Sequence, residues 1–248
     1  MEISIVIPTY RETLRLQVTL LEILPYLEKK FSSFELIIVD DPDKDGNYTK
    51  LQAPFDQDPR ITFYRQSQRL GKGAAVKRGC LLGQGEVILF MDADHSTPII
   101  ELERFMPHFN SHNDCLVSGV RTYQEDESKW RRVLGLFTQL FLHIVVFKKA
   151  VVDSQCGFKA FSRSLVQKIF PLLRVKGGMI DAEIFFLMHK FNYPAFFEPV
   201  HWANKPDSKI NILVCMINDP IEVIRIRINN FFGVYRAPVI SLLKESKP

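Results

Sequence analysis

Two aspartates one residue apart, Asp92-Ala93-Asp94, follow directly on the apolar run Val87-Ile88-Leu89-Phe90-Met91. Carboxylates at that spacing, just past a strand end, can face one pocket once the chain turns. Hard divalent cations such as Mg²⁺ or Mn²⁺ favour that ligand set, often alongside substrate phosphates. A second acidic pair, Asp40-Asp41, closes the apolar run Leu36-Ile37-Ile38-Val39. Gly71-Lys72-Gly73 opens a helical pattern, so backbone N–H groups and the Lys72 ammonium could meet a diphosphate at a helix N-terminus. Asp181 and Glu183 lie in an otherwise apolar stretch, where a carboxylate is costly unless it is partnered or used. Arg121, Arg132 and Lys205 are candidate phosphate contacts, and arginine's planar fork suits phosphate oxygens.

These residues need elements that bring them together. Ile3 to Ile7, Leu36 to Val39, Arg60 to Tyr64 and Glu86 to Met91 read as buried strands. Between them lie helical patterns over Leu14 to Leu27, with an apolar stripe of Leu14, Val18, Leu21 and Leu24, and over Gly73 to Leu82. Such alternation predicts a mostly parallel sheet covered by helices on both faces. Ligands then bind beyond the carboxyl ends of the strands, where Thr9, Tyr10, Glu12, Asp40, Asp41, Asp92 and Asp94 all fall. The second half is less regular. It carries an apolar helical stretch from Val133 to Phe147, a turn from Asp153 to Gly157 and a strand near Phe196 to Val200. A last helix is expected to start at Asp219, with Pro220 in its first turn, and to carry Ile221, Ile224, Ile228, Phe231 and Phe232 on one side.

With 248 residues, 46% of them hydrophobic and 24% charged, the chain suits one large globular domain. We divide it into residues 1–215 and a C-terminal amphipathic helix and tail over 216–248. Four scattered cysteines without C-x-x-C spacing argue against structural zinc and a disulfide framework, and suggest reduced thiols in a cytoplasmic protein. No signal peptide is read at the N-terminus, and no run reaches the ~18 apolar residues of a spanning helix. Between Arg121 and Arg174, ten Lys or Arg face four acids, leaving the rest of the chain at −2 within a total of +4. That local excess suggests a phosphate or an anionic membrane surface; nucleic acid is not expected, because no such motif accompanies the charge. The stretch Val133 to Phe147, between Arg131-Arg132 and Lys148-Lys149, matches an interfacial helix with basic anchors.

In order along the chain, Ile7-Pro8-Thr9-Tyr10-Arg11-Glu12, Val39-Asp40-Asp41, Gly71-Lys72-Gly73 and Met91-Asp92-Ala93-Asp94 resemble family 2 glycosyltransferases of the GT-A fold. Three later motifs resemble the branch that holds dolichyl-phosphate β-glucosyltransferases and mannose synthases. They are Asp153-Ser154-Gln155-Cys156-Gly157-Phe158-Lys159, Asp181-Ala182-Glu183 and Trp202 to Lys209. The resemblance implies that Pro8, Tyr10 and Glu12 line a nucleotide pocket and that Asp40 or Asp41 accepts a hydrogen bond from the base. Asp92 would sit near ribose and metal, and Asp94 would ligate the metal. Lys72, Gln155 and Lys205 would join the substrate contacts. Arg132 would approach an acceptor phosphate, with Arg131 beside it and Arg121 as a further contact. Asp181 would act as a base or orient the acceptor. Mannose synthases of this branch place a Gln where Ser96 stands, and Ser96-Thr97-Pro98 is closer to the glucosyltransferases. Pro42-Asp43 replaces the Gly-Ser that usually follows the double aspartate.

The implied activity is inverting transfer of a hexose from a nucleoside-diphosphate sugar, UDP-glucose ahead of GDP-mannose, to a polyprenyl phosphate. It would use Mg²⁺ or Mn²⁺, on the cytoplasmic face of a membrane. A hydroxyl or polysaccharide acceptor, or a nucleotide-sugar-binding protein without activity, are the alternatives.

Overall fold

The computed structural model describes residues 1–43, 48–122, 153, 155–203 and 212–236. Its frame is a seven-stranded sheet in the order β3-β2-β1-β4-β6-β5-β7. The strands are β1 Ile3–Thr9, β2 Phe34–Asp40, β3 Ile61–Arg65, β4 Val87–Met91, β5 Leu116–Thr122, β6 Phe158–Ser162 and β7 Ala195–His201. The helices are α1 Thr13–Lys30, α2 Tyr48–Gln52, α3 Lys72–Leu82, α4 Leu102–Ser111, α5 Arg163–Ile169, α6 Ile180–Lys190 and α7 Ile212–Phe231. β1 pairs in parallel with β2 and β4, β2 with β3, and β5 with β7. Only β6 runs against its neighbours, β4 and β5.

Successive strand residues point to opposite faces, and the core splits accordingly. Val6, Ile37, Ile88 and Phe90 face a cluster filled from α3, α5, α6 and α7. Ile5, Ile38, Leu89 and Phe158 face the other cluster, filled from α1, α2 and α4. Because the central strands are covered on both faces, they read as continuous apolar runs.

Two sequence expectations are corrected. In α1 the buried stripe is Leu16, Leu20, Ile23 and Leu27, whereas Leu14, Val18 and Leu21 are exposed. Both sets have helical spacing, and only packing chooses between them. The last helix begins at Ile212, not at Asp219, and Pro220 lies inside it. Inside it, Glu222 accepts from Gly177 N–H at 3.0 Å and Met179 N–H at 3.1 Å. Cys80, Cys115 and Cys156 are free, buried thiols; burial raises Cys115 and Cys156 to about 11. Among the described residues no helix is long and apolar enough to cross a membrane.

Candidate active site

β1, β2 and β4 end at one edge of the sheet, and strand order reverses there, the usual site of a ligand crevice in open α/β sheets. Thr9 at the end of β1 lies opposite Asp40 at the end of β2. The Thr9 hydroxyl is buried and has no hydrogen-bond partner among the described residues. Burial raises the Asp40 carboxyl to about 6, with Asp43 and Asp41 adding to the rise and Arg65 opposing it. Tyr10 follows, its ring flanked by the guanidinium groups of Arg69 at 4.3 Å and Arg11 at 5.3 Å. Pro8 is buried in β1, and Glu12 ion-pairs with Arg15 at 3.2 Å.

Asp40 and Asp41 divide their work. The Asp41 carboxylate accepts from Gln66 Nε2 at 2.9 Å and from the N–H groups of Leu70 and Gly71, both at 2.8 Å. It is spent on holding the loop that leads into α3, which leaves Asp40 as the carboxylate at the strand end.

The glycine turn also departs from expectation. Gly73 N–H donates to Gly177 O and Ala74 N–H to Lys176 O, both at 3.1 Å. These first-turn donors of α3 are satisfied by the loop before α6, so they are not offered to a diphosphate. Gly71 has φ 100°, and a Cβ there would lie 2.6 Å from Lys176 O, so only glycine fits. What the turn does deliver is the Lys72 side chain, with Nζ 2.7 Å from Asp92 Oδ1. Burial pulls this ammonium down, but the charges of Asp92, Asp181 and Asp94 outweigh it and raise its pKa.

Asp92 N–H donates to Gly157 O at 3.0 Å. A Cβ on Gly157 would fall 1.9 Å from Asp92 Oδ2, so glycine is needed for the carboxylate to sit there. Asp94 Oδ1 accepts from Ser96 N–H at 2.9 Å. His95 takes a positive φ of 51°. Its Nε2 accepts from Ile99 N–H at 3.0 Å, and its Nδ1 faces Glu22 Oε2 at 2.6 Å. The loop is thereby tied to α1. Asp92, Asp94, Ser96, Thr97, Gly157 and Trp202 line a recess. No group of three or more His, Cys, Asp or Glu among the described residues could hold a metal. Two carboxylates still suit Mg²⁺ or Mn²⁺ when diphosphate oxygens and water complete the shell, since these ions keep several non-protein ligands. The donor set fits a substrate-assisted cation.

At the start of α6, Asp181 Oδ1 lies 2.9 Å from Lys159 Nζ, with the side chains 5% and 0% exposed. The contact is at ion-pair distance without hydrogen-bond alignment. Glu183, two residues on, serves the scaffold. It accepts from the N–H groups of Arg174 and Val175 and from the Tyr235 hydroxyl. Lys159 closes the Asp153 to Lys159 motif of the sequence but was given no role there; a further signal was a lysine inside the apolar run Phe158 to Phe161. Arg121 is engaged by Asp153, Nε to Oδ2 at 2.8 Å and Nη2 to Oδ1 at 3.0 Å, and lies 5.5 Å from the Trp202 ring. Burial raises the Asp153 pKa, but the bonds from Arg121 outweigh it and hold the carboxyl low. Gln155 reaches Met179 Sδ at 3.9 Å. Arg131, Arg132, Lys205 and the stretch 133–147 lie outside the described residues.

A parallel sheet with a reversal in strand order, paired acids at the strand ends and a glycine-seated D-x-D defines the GT-A architecture. Residues 4–170 match the model of glycosyl transferase family 2, and the chain belongs to that family. It is 30% identical, over 94% of its length and 76% of the relative's, to a dolichyl-phosphate beta-glucosyltransferase of Dictyostelium discoideum. Among solved structures it is similar to a mannosyl-3-phosphoglycerate synthase from Rubrobacter xylanophilus, with TM-score 0.69, 16% identity and coverage of 95% and 76%. It is also similar to glucosyl-3-phosphoglycerate synthase of Mycobacterium tuberculosis in complex with Mn²⁺ and UDP-glucose. There the TM-score is 0.67, with 18% identity and coverage of 90% and 77%.

Proposed function

We propose that this glycosyltransferase moves glucose from UDP-glucose to a polyprenyl phosphate of the dolichyl type, with inversion at the sugar carbon, on the cytoplasmic face of a membrane. The observation that carries this reading is the near full-length identity to a relative named for that reaction. The acids at the ends of β2 and β4 support it.

Asp40, ionised, accepts a hydrogen bond from an N–H of the base, while Pro8, Tyr10 and Glu12 line the nucleotide pocket. Asp94 and Asp92 would hold Mg²⁺ or Mn²⁺, which neutralises the leaving diphosphate when bound. Lys72 adds a second positive charge on that side. A phosphate acceptor is already ionised at neutral pH, so it must be held by cations rather than deprotonated. Arg132, with Arg131 beside it and Arg121 and Lys205 as further contacts, supplies that charge. Asp181, with Gln155 beside the same end of α6, orients acceptor and sugar. The outward face of α7 supports a membrane surface as partner. Ile221, Ile224 and Ile228 are about half exposed, Phe231 is 84% and Phe232 73% exposed, and Arg225 and Arg227 stand on the same exposed side of the chain. Such a combination suits an interfacial helix on an anionic surface.

The test is release of nucleoside diphosphate from UDP-glucose and GDP-mannose, each with polyprenyl phosphate or with a hydroxyl acceptor. We expect turnover with UDP-glucose plus polyprenyl phosphate. Arg132→Ala, alone and with Arg131→Ala, should raise the acceptor KM roughly 10- to 100-fold, the usual loss for a charge-assisted hydrogen bond. Full activity of the double variant on polyprenyl phosphate would overturn the acceptor assignment.

A further inference from the structure

Lys159 occupies the middle strand of an antiparallel triplet, opposite Phe90 of β4 on one side and Ser118 of β5 on the other. Its neighbours Phe158 and Ala160 pack in the α1 side of the core. Lys159 therefore points to the α3 and α6 side, where the facing residues are aromatic or aliphatic. The whole residue is 0% exposed. An ammonium in such a place is expensive, and an aliphatic residue would often serve stability as well or better. Nothing in the sheet's own pairing requires a charge here.

The charge makes its close ion pair with one carboxylate, that of Asp181, and is felt also by Asp153. Lys159 Nζ donates to the Cys156 carbonyl, rests 5.9 Å from the Phe185 ring and lies 2.9 Å from Asp181 Oδ1. The Cys156 carbonyl immediately precedes Gly157, the residue that seats the Asp92 carboxylate. Phe185 sits one turn beyond Asp181 on α6. Carbonyl, ring and strand thus hold the ammonium from three sides. Asp181, in the first turn of α6, has no other ion-pair partner of this closeness among the described residues. Its charge is also felt by Lys72, which is itself bonded to Asp92.

We propose that Lys159 is a positioning residue. Its buried ammonium anchors the Asp181 carboxylate and keeps it from turning toward Lys72, so that Lys72 remains with Asp92 on the diphosphate side. One buried cation would then keep the acceptor-side carboxylate and the donor-side cation apart. The inference rests on the role given to Asp181 above and adds the device that holds it there. Lys159 touches no substrate, since its side chain is wholly enclosed.

Four variants test it: Lys159→Met, Lys159→Arg, Asp181→Asn and Lys159→Met with Asp181→Asn. Steady-state rates are measured with UDP-glucose and polyprenyl phosphate, UDP binding by calorimetry in Mn²⁺, and the fold by thermal melting. Lys159→Met should lower kcat by ~10²-fold, the scale of a misplaced group near the reacting atoms, and weaken UDP binding as well, because the released Asp181 carboxylate draws Lys72 from the diphosphate side. Lys159→Arg should restore most of the rate, because it returns a cation to the same strand position. In the Asp181→Asn background the Met substitution should add little, as the carboxylate it would release is gone. The double variant removes both charges together and guards against the case in which Lys159→Met alone fails to fold. Losses that multiply in the double variant, or an arginine no better than methionine, overturn the positioning role and leave the Asp181 reading intact. Wild-type turnover in Asp181→Asn overturns both.

Discussion

The acids of this protein come in close pairs, and in two of them one member is bound by scaffold donors while the other, to which we assign a role toward substrate, is not. Asp40 stands at a strand end beside the buried Thr9 hydroxyl, whereas Asp41 binds three donors of the loop leading to α3. Asp181 faces the Lys159 ammonium, whereas Glu183 binds two backbone N–H groups and the Tyr235 hydroxyl. The distinction is in the partners. Scaffold acids are bonded to backbone donors that no ligand could replace. Asp40, Asp92 and Asp181 are instead paired with side-chain cations, Arg65, Lys72 and Lys159. A carboxylate saturated by N–H groups is a cap; one balanced by a mobile or buried cation retains a lone pair to offer.

The sharpest break of this comparison is Asp94→Asn. Losing one of two anionic ligands of a substrate-assisted cation should cost several kcal/mol of transition-state stabilisation, roughly 10³-fold in turnover. The melting temperature should be nearly unchanged, because the Asp94 contact to Ser96 N–H survives in an amide oxygen. Near-normal rates across a Mg²⁺ and Mn²⁺ titration would remove Asp94 from the working set.

The scaffold counterpart is Glu183→Ala, which strands the Arg174 and Val175 N–H groups and the Tyr235 hydroxyl. We expect a loss of about 3 kcal/mol, seen as a melting temperature lower by roughly 6–12 °C, while KM for UDP-glucose stays within twofold in the surviving folded enzyme. A variant that melts normally but binds donor poorly would move Glu183 across the divide.

The smallest effect is a pH dependence at Asp40, whose pKa is raised to about 6 by burial. Protonation removes the charge that accepts from the base, so the KM for donor should rise as pH falls through about 6, and Asp40→Asn should flatten that limb. The sign for stability is opposite. A carboxyl whose folded-state pKa lies above its ordinary 3.8 favours the fold at low pH and costs stability as the pH rises toward about 6. Weaker donor binding below pH 6 therefore cannot arise from unfolding driven by Asp40, and circular dichroism over the same range checks this.

Much was determined by local pattern. The buried strands Ile3–Thr9, Phe34–Asp40 and Val87–Met91 declared themselves as apolar runs because both faces are covered, and their ends carried Asp40, Asp92 and Asp94 to one edge. Strand ends and D-x-D spacing are properties of a few consecutive residues, so a sequence can display them. Tertiary structure alone decided which of two helical stripes α1 buries, since Leu14, Val18, Leu21 and Leu16, Leu20, Ile23 have equally good periodicity. It alone carried α7 through Pro220, whose missing donor one helix can tolerate when packing holds the flanks. It closed the α3 N-terminus with the carbonyls of Lys176 and Gly177, about a hundred residues along the chain. It also separated Asp41 from Asp40 and Glu183 from Asp181, and set the Lys159 ammonium beside Asp181. Each of these depends on a partner distant in sequence, and a carboxylate's role is set by the donor it meets. That meeting is made by the fold, and local pattern has no record of it.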